Sequence, residues 1–259
     1  MKAAPLHLTP LQGLPAVAAG DALGDLIIAC TRSQAVTVDD TSVLIVAQKV
    51  VSKSERRLVC LDDVQESAEA LALAAETGKD PRLVELILQE SIAIIRVRPG
   101  LIIAEHRSGH ILANAGIDTS NVGVLPTHSA QHVLLWPEDP DASAKALSRA
   151  MSDAFGVSVP VIINDSLGRP WRMGTVGFAI GVAGLQSVWD QVGERDLDGR
   201  VMQVTAPAVA DSLAAAASLV QGETNQGTPV VWAQGVALRR AADGSSRDLL
   251  REREQDMFR

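Results

Sequence analysis

Short unbroken apolar runs alternate along this chain with stretches in which apolar residues recur every three or four positions, and polar or glycine-rich clusters end most of them. Residues 41–47, Thr-Ser-Val-Leu-Ile-Val-Ala, predict a strand by length and β-branched content, and 161–165, Val-Ile-Ile-Asn-Asp, predict another. The runs 92–97, 101–104 and 110–113 are separated by Pro99-Gly100 and Ser108-Gly109, turn formers that predict an antiparallel meander. Helical spacing covers 21–30, 64–77 and 81–91, with Pro81 suited to a first turn. It also covers 144–155, where Ala144, Leu147, Met151 and Phe155 share a face up to Gly156. Further on, 175–184 is apolar but interrupted by glycine and 196–200 is a charged turn. Residues 200–205 and 229–233 predict strands, 208–220 an Ala-rich helix, and 247–259 a partly packed tail helix. The segment 11–17 reads as a loop punctuated by Gly13 and Pro15. By themselves these patterns give strands alternating with helices and no finer class.

Composition narrows the functions. With 259 residues, 47% of them hydrophobic, the chain can bury a sizeable core as one large domain or two small ones. No run reaches the roughly 18 to 20 apolar residues of a membrane span, and residues 1–5 lack the apolar segment of a secretory signal, so a cytoplasmic location is expected. A net charge of -8, three Phe and no Tyr argue against nucleic acid as a partner and leave small molecules and further copies of the chain. Cys30 and Cys60 stand apart in apolar surroundings, as small core residues do. His128 and His132 are four apart, but Pro126 and Pro137 bracket them and no Glu lies between, which disfavours a histidine metal site.

Two segments concentrate oxygen donors. Residues 114–122, Asn-Ala-Gly-Ile-Asp-Thr-Ser-Asn-Val, directly follow an apolar run, and the predicted strand at 161–165 delivers Asp165 and Ser166 to its end. Asp, Asn, Ser and Gly after a strand are ordinary turn formers, but two such segments each entered by an apolar strand point to a shared divalent-cation site through Asp118 and Asp165. Arg169 and Arg172, in Gly-Arg-Pro-Trp-Arg, add cations suited to an anionic ligand. Lys49 and Lys53 follow the strand at 41–47 and are candidate phosphate contacts. The loop Gln221, Gly222, Glu223, Thr224, Asn225, Gln226, Gly227, Thr228 carries glycines able to turn backbone amides toward an anion, with Glu223 as a further carboxylate. No Walker phosphate loop and no Gly-x-Gly-x-x-Gly is present, so a nucleotide site here is of another type.

In combination, Gly13-Leu14-Pro15, Val50-Val51-Ser52-Lys53, Arg98-Pro99-Gly100, Asn114-Ala115-Gly116-Ile117-Asp118, Ser120-Asn121-Val122 and Gly168-Arg169-Pro170-Trp171-Arg172 resemble the coenzyme F420-0:L-glutamate ligases, the γ-glutamyl ligases of deazaflavin cofactor biosynthesis. Gly177–Gly184, Val209-Ala210-Asp211 and the ending Asp256-Met257-Phe258-Arg259 complete a match over nearly the whole chain. The resemblance implies an α+β fold of mixed, mostly antiparallel sheets packed with helices, in an interlocked homodimer. It implies a single ligase unit over 1–259, with room for two subdomains and no C-terminal flavin-binding domain.

The implied reaction joins L-glutamate to the lactyl carboxylate of F420-0 at the expense of GTP, through an acyl phosphate, with further γ-linked glutamates as an extension. Residue by residue, Asp118, Asp165, Ser166 and Glu223 are implied ligands of Mg2+ or Mn2+, with two divalent ions expected and K+ as a further candidate. Asn121, Leu14, Pro15, Ala16, Val17, Gln48, Lys49, Lys53 and the 221–228 loop are implied to line the GTP site. Arg169 and Arg172 are assigned by charge to the anionic groups of the deazaflavin or the acyl phosphate.

Some positions depart from the family's pattern. Gln48-Lys49 stands for a small polar pair, Asn164-Asp165-Ser166 for Thr-Asp-Thr, and Met173 for an acidic residue. Arg56 stands for a glycine, where a positive φ would cost about 1 kcal/mol. Two other functions stay open: a related GTP- and metal-dependent amide ligase with another carboxylate acceptor, and a non-catalytic nucleotide-binding module. The module predicts loss of the carboxylates, and Asp118, Asp165 and Glu223 are all present.

Overall fold

The structure, a computed structural model, describes residues 5–122 and 131–257. Its first half runs β1 (His7–Pro10), α1 (Leu23–Ser33), β2 (Val43–Ala47), α2 (Gln48–Ser54), β3 (Leu58–Cys60), α3 (Ala68–Thr77) and α4 (Pro81–Gln89). There follow β4 (Ser91–Arg98), β5 (Leu101–His106), β6 (Ile111–Ala113), β7 (His132–Leu134) and α5 (Pro140–Phe155). The chain closes with β8 (Val161–Arg169), β9 (Arg172–Ala183), α6 (Val209–Gln221) and β10 (Val230–Gln234). Local chemistry sets several helix ends. Ser67, Asp80 and Asp139 each accept a backbone N–H as N-caps of α3, α4 and α5, and Gly78 and Gly156 end α3 and α5 at positive φ.

A five-stranded sheet in the order β1-β10-β2-β8-β9 is antiparallel throughout except between β2 and β8, which run parallel. All of Val43–Val46 is buried, because the sheet is covered on both faces. The two-residue period divides the strands between two cores. Leu44, Val46, Val161, Ile163 and Trp232 pack toward α1 and α5, whereas Val43, Ile45, Ile162, Val231 and Ala233 pack toward α6. Between β2 and β8 the chain builds a smaller body. There β4-β5-β6 and the β3-β7 pair carry α3 and α4 over a third core around Val84, Ile87, Ile102 and Ala104.

The mixed, mostly antiparallel class expected from the resemblance is observed, and the meander and the principal helices lie where the pattern predicts them. Residues 200–205 are not a strand. Asp196 Oδ1 accepts from the amides of Asp198 and Arg200, and the segment folds back on 189–196 through irregular backbone hydrogen bonds, such as Met202 to Glu194 and Gln191 to Thr205, with isolated bridges at Arg195/Val201 and Val188/Ala208 and no regular ladder. Val201 and Val204 are exposed and have no sheet face to bury. The tail is not one helix but two 3-10 turns, Ser246–Leu249 and Arg253–Gln255. Ser245 and Ser246 are bound to the Asp141 carboxylate, which fixes the chain direction there. β1, β3 and β7 lie outside the predicted elements. Pro10 is tolerated in β1 because that strand is at the edge of the sheet. His128 lies outside the described residues. Arg56 does adopt a positive φ, 62°, as its replacement of a glycine leads one to expect.

Strand β9 carries a bulge, since Ile163 pairs with Gly181 while Asn164 pairs with Ala179. The consecutive residues Ile180 and Gly181 therefore both meet the α5 side: Ile180 joins that core, and a Cβ on Gly181 would collide with the Pro140 carbonyl. Gly177 lies as closely against the Ala214 carbonyl of α6. Gly177→Ala and Gly181→Ala are each expected to destabilise the fold by about 2 kcal/mol or more through overpacking. Gly168→Ala, with open space around its Cβ, serves as the control in urea unfolding.

Candidate active site

Because β2 and β8 are parallel and in register from Leu44/Val161 to Ala47/Asn164, their carboxyl ends open side by side. A cleft of about 720 Å³ lies there, at the strand ends where α/β sheets commonly bind ligands. Beyond β2 the polar stretch that follows the strand is the helix α2, which brings Gln48, Lys49 and Lys53 onto the cleft wall. Beyond β10's neighbour α6, residues 221–228 form the opposite wall. Thr228 Oγ1 donates to the carbonyls of Val220 and Gln221 and ties the end of this loop to α6. The Gln226 side chain folds back over Gly222 (φ 72°) and accepts from the Thr224 amide at 2.9 Å.

Alternation along β8 distributes its polar residues. Asn164 faces α6, where it exchanges two hydrogen bonds with the Gln221 amide, 2.8 and 3.2 Å, and both side chains are buried. Ser166 faces the same way and donates to Glu223 at 2.5 Å. Asp165 between them faces the other side. Its Oδ2 accepts from the Trp136 indole at 2.7 Å and its Oδ1 from the Ser166 amide at 2.8 Å. Asp118 enters from the smaller body, held by a two-bond backbone bridge to Leu134, and its Oδ1 is paired with Lys49 Nζ at 2.5 Å. Lys53 Nζ donates to the Asn121 carbonyl at 2.8 Å, and Asn121 Nδ2 reaches the Thr224 carbonyl at 3.3 Å.

The electrostatics are those of crowded like charges. Burial, together with the Asp118 charge, raises Asp165 to about 6. Burial raises Asp118 as well, with Lys49 opposing and Glu223 adding to the shift. Lys53 is lowered, by burial and by Lys49. Asp118 Oδ2 is buried without a hydrogen-bond partner. Among the described residues no three His, Cys, Asp or Glu side chains already enclose an ion position. In this geometry the Lys49 ammonium is the cation nearest Asp118. An orphaned Asp118 carboxylate oxygen, an Asp165 raised by burial and by the Asp118 charge, and a hydroxyl–carboxylate pair at Ser166 and Glu223 form a hard-oxygen donor set that suits divalent cations.

Of the residues singled out in the sequence, the cleft wall includes Gln48, Lys49, Lys53, Asn121, Asp165, Ser166 and the whole of 221–228. Asp118 adjoins it through Lys49. Leu14, Pro15, Ala16 and Val17 are not on this wall: Leu14 and Val17 pack against the α1–α5 core, and Pro15 and Ala16 are exposed. Arg169 and Arg172 are not on it either. Four residues of extended strand carry Arg169 about 13 Å beyond Asp165, to the tip of the β8–β9 hairpin. There Arg169 Nε is buried without a partner and Arg172 is exposed. Sequence reasoning missed Trp136, Thr119 and Ser218 and gave Asn164 no role. A buried amide inside an apolar strand was the available signal for Asn164, and Trp136 gave none.

Fold and cleft together have the character of an enzyme acting on small molecules. A family model described as F420-0:Gamma-glutamyl ligase matches residues 13–235, and the chain belongs to that family. It is 46% identical over 258 residues to the coenzyme F420:L-glutamate ligase of Methanothermobacter thermautotrophicus, covering 98% of this chain and 99% of that protein. It is 41% identical to the enzyme of the same name from Methanopyrus kandleri, covering 98% of both. Against that of Archaeoglobus fulgidus it is 39% identical over 98% of this chain and 96% of the relative. Among the described residues no helix is long and apolar enough to cross a membrane.

The raised acids give a signed pH dependence. A carboxyl whose folded pKa lies above its unfolded value favours the folded state when protonated, so its contribution is lost as pH rises through the window from about 4 to about 6. In metal-free buffer the protein is expected to lose on the order of 2 kcal/mol from Asp165 across that window. Asp165→Asn should flatten this part of the stability–pH curve in denaturant titrations at pH 4.5, 5.5 and 7; an unchanged curve would contradict the assignment.

Proposed function

We propose that this chain is a GTP-dependent ligase that joins the amino group of L-glutamate to the lactyl carboxylate of F420-0, releasing GDP and phosphate. Further γ-linked additions are an extension of the same chemistry. The observation that carries the reading is the meeting of Asp118, Asp165 and Glu223 with Lys49 and Lys53 around one cleft at the strand ends. The name shared by the relatives supports the substrates.

An amide does not form from a carboxylate and an amine without an activated acyl group. In the proposed path a carboxylate oxygen of the acceptor attacks the γ-phosphorus, the bond to the β-bridging oxygen breaks, and GDP leaves. The glutamate amine, having lost a proton, then attacks the acyl carbon and expels phosphate. When bound, Mg2+ or Mn2+ at Asp118, Asp165, Ser166 and Glu223 would supply the Lewis acidity and charge neutralisation that both steps need. Potassium is a further candidate cation in the same reading.

Lys49 and Lys53 border the cleft and are placed to neutralise an incoming polyphosphate, with Lys49 exchanging the Asp118 carboxylate for phosphate oxygens. Asn121 and the 221–228 loop offer amides and carbonyls to the remainder of the nucleotide. The interlocked homodimer belongs to the same reading. The exposed Trp171 and Met173 at the β8–β9 turn and Leu197 in the turn at 196–200 are side chains that a subunit interface would cover.

The test is a mass-resolved assay of the purified protein with F420-0, L-glutamate, GTP and Mn2+, leaving out each in turn. A product heavier by one or more glutamyl units, formed only with GTP and metal, is expected. GTP binding without product would favour another acceptor, and no GTP binding would favour the non-catalytic module. Lys53→Ala is expected to raise the apparent KM for GTP about tenfold, corresponding to the loss of one charge-assisted contact; an unchanged KM removes Lys53 from the nucleotide site.

A further inference from the structure

Trp136 is wholly buried, yet its indole N–H ends on a carboxylate of the cleft, Asp165 Oδ2, at 2.7 Å. Everything around the indole fixes its direction. The rings of His106 and His110 lie against it at centroid distances of 5.0 and 5.5 Å. Those two rings are joined through Ser108 Oγ, at 2.8 Å from His106 Nδ1 and 2.9 Å from His110 Nδ1. The Trp136 carbonyl accepts from Arg57 Nε at 2.7 Å, and Arg57 is paired with Glu90 at 2.8 Å. On the remaining side Gly116 approaches so closely that a Cβ there would stand 2.5 Å from the indole nitrogen.

The same short segment also sets the second carboxylate. Two residues before Trp136, Leu134 exchanges both backbone hydrogen bonds with Asp118, at 2.9 Å each. Gly116, pressed on the indole, is two residues before Asp118 on the other strand of that bridge. One stretch of chain thus orients Asp165 through a side chain and places Asp118 through its backbone, although the two acids come from different sheets. A buried indole needs some acceptor, and a backbone carbonyl would serve for stability alone. Choosing a cleft carboxylate leaves one Asp165 oxygen committed to the indole and fixes the plane of the group.

We propose that Trp136 is a positioning residue that holds the Asp165 carboxylate at the separation from Asp118 that a divalent cation requires. This rests on the metal reading of the cleft. Hydrogen bonds to ligating groups typically change metal affinity by roughly 10- to 100-fold when removed.

The test titrates Mn2+ into the protein without substrates and reads free Mn2+ by electron paramagnetic resonance, with circular dichroism and thermal unfolding as checks of the fold. Trp136→Phe is expected to stay folded and to bind Mn2+ about tenfold or more weakly, and in turnover to lower kcat more than it raises the KM for L-glutamate. Should Phe fail to fold, β-(3-benzothienyl)alanine at position 136 keeps the bicyclic shape and removes only the N–H, and the same loss is expected of it. A folded variant that binds Mn2+ within twofold of the parent overturns the role of Trp136 and leaves the metal reading standing. A parent protein that binds no Mn2+ overturns the metal reading, and the proposal with it.

Discussion

Two carboxylates set close together in a half-buried cleft repel each other and resist desolvation, and the central part of this molecule is organised around holding them there. Asp118 and Asp165 both have raised pKa values, Asp165 to about 6. Without Lys49 on the one and the Trp136 indole on the other, the strain of keeping them apart from water would fall on the fold. Each aid demands a structural condition. Lys49 reaches Asp118 because α2 begins at the residue after β2, so the helix turns its first lysine over the strand end. The indole reaches Asp165 because Trp136 stands two residues beyond the Leu134 bridge, with its ring held against His106, His110 and Gly116. The long excursion between the parallel strands β2 and β8 serves the same end, since such a pair needs a crossover, and here the crossover contains the body that carries Asp118.

Backbone strain concentrates on the same region. Asn114, Ala115 and Gly116 have φ of 51°, 51° and 73°, nearly a turn of left-handed helix, and Asn121 follows at 57°. A left-handed conformation costs about 1–2 kcal/mol for each residue with a Cβ, so packing must hold the turn. Ala115 is buried in the third core, and Gly116 is pinned by Trp136. The turn reverses the chain between β6 and the Asp118 bridge within a few residues, which a relaxed loop would need more length to do. Arg56 is a different case. Its guanidinium lies against Gly20, away from the carboxylates, and the positive φ it tolerates ends α2 where the family pattern has a glycine.

What the sequence made legible was whatever depends on neighbours in the chain. The strand at 161–165, the meander and the helices between capping residues and glycines follow from local periodicity, and the oxygen-rich segments at 114–122 and 164–166 stood out because they interrupt apolar runs. The resemblance added which of those polar residues share a site. What stayed hidden depends on partners far away in the chain. Trp136 acts on a residue 29 positions later, and Asn164 on Gln221, 57 positions later. The segment 200–205 misled for the opposite reason: Val201, Met202 and Val204 have strand-like spacing, but the segment pairs only irregularly with 191–195, and Val201 and Val204 find no core to cover them. Arg169 and Arg172, assigned by charge to anionic groups of the substrates, stand beyond this cleft wall, because the rise of an extended strand carries them to the β8–β9 turn.

The cleft has two unlike walls, and the difference bears on how it can work. On the strand side Asp165, Asn164 and Gln48 project from buried backbone, and the Asn164–Gln221 amide pair joins β8 to α6 without water. Positions there are fixed by packing and by direct side-chain hydrogen bonds. On the other side residues 223–227 are exposed and are held by few contacts, chiefly Gln226 to the Thr224 amide and Asn121 to the Thr224 carbonyl. Those contacts are intraprotein stand-ins that a ligand offering the same donors and acceptors can replace at small cost. Glu223 sits at the junction, bound to Ser166 of the rigid wall while belonging to the adaptable one. Any movement of this wall on a ligand therefore moves Glu223 relative to Asp118 and Asp165, while those two keep the places that the Leu134 bridge and the Trp136 indole give them.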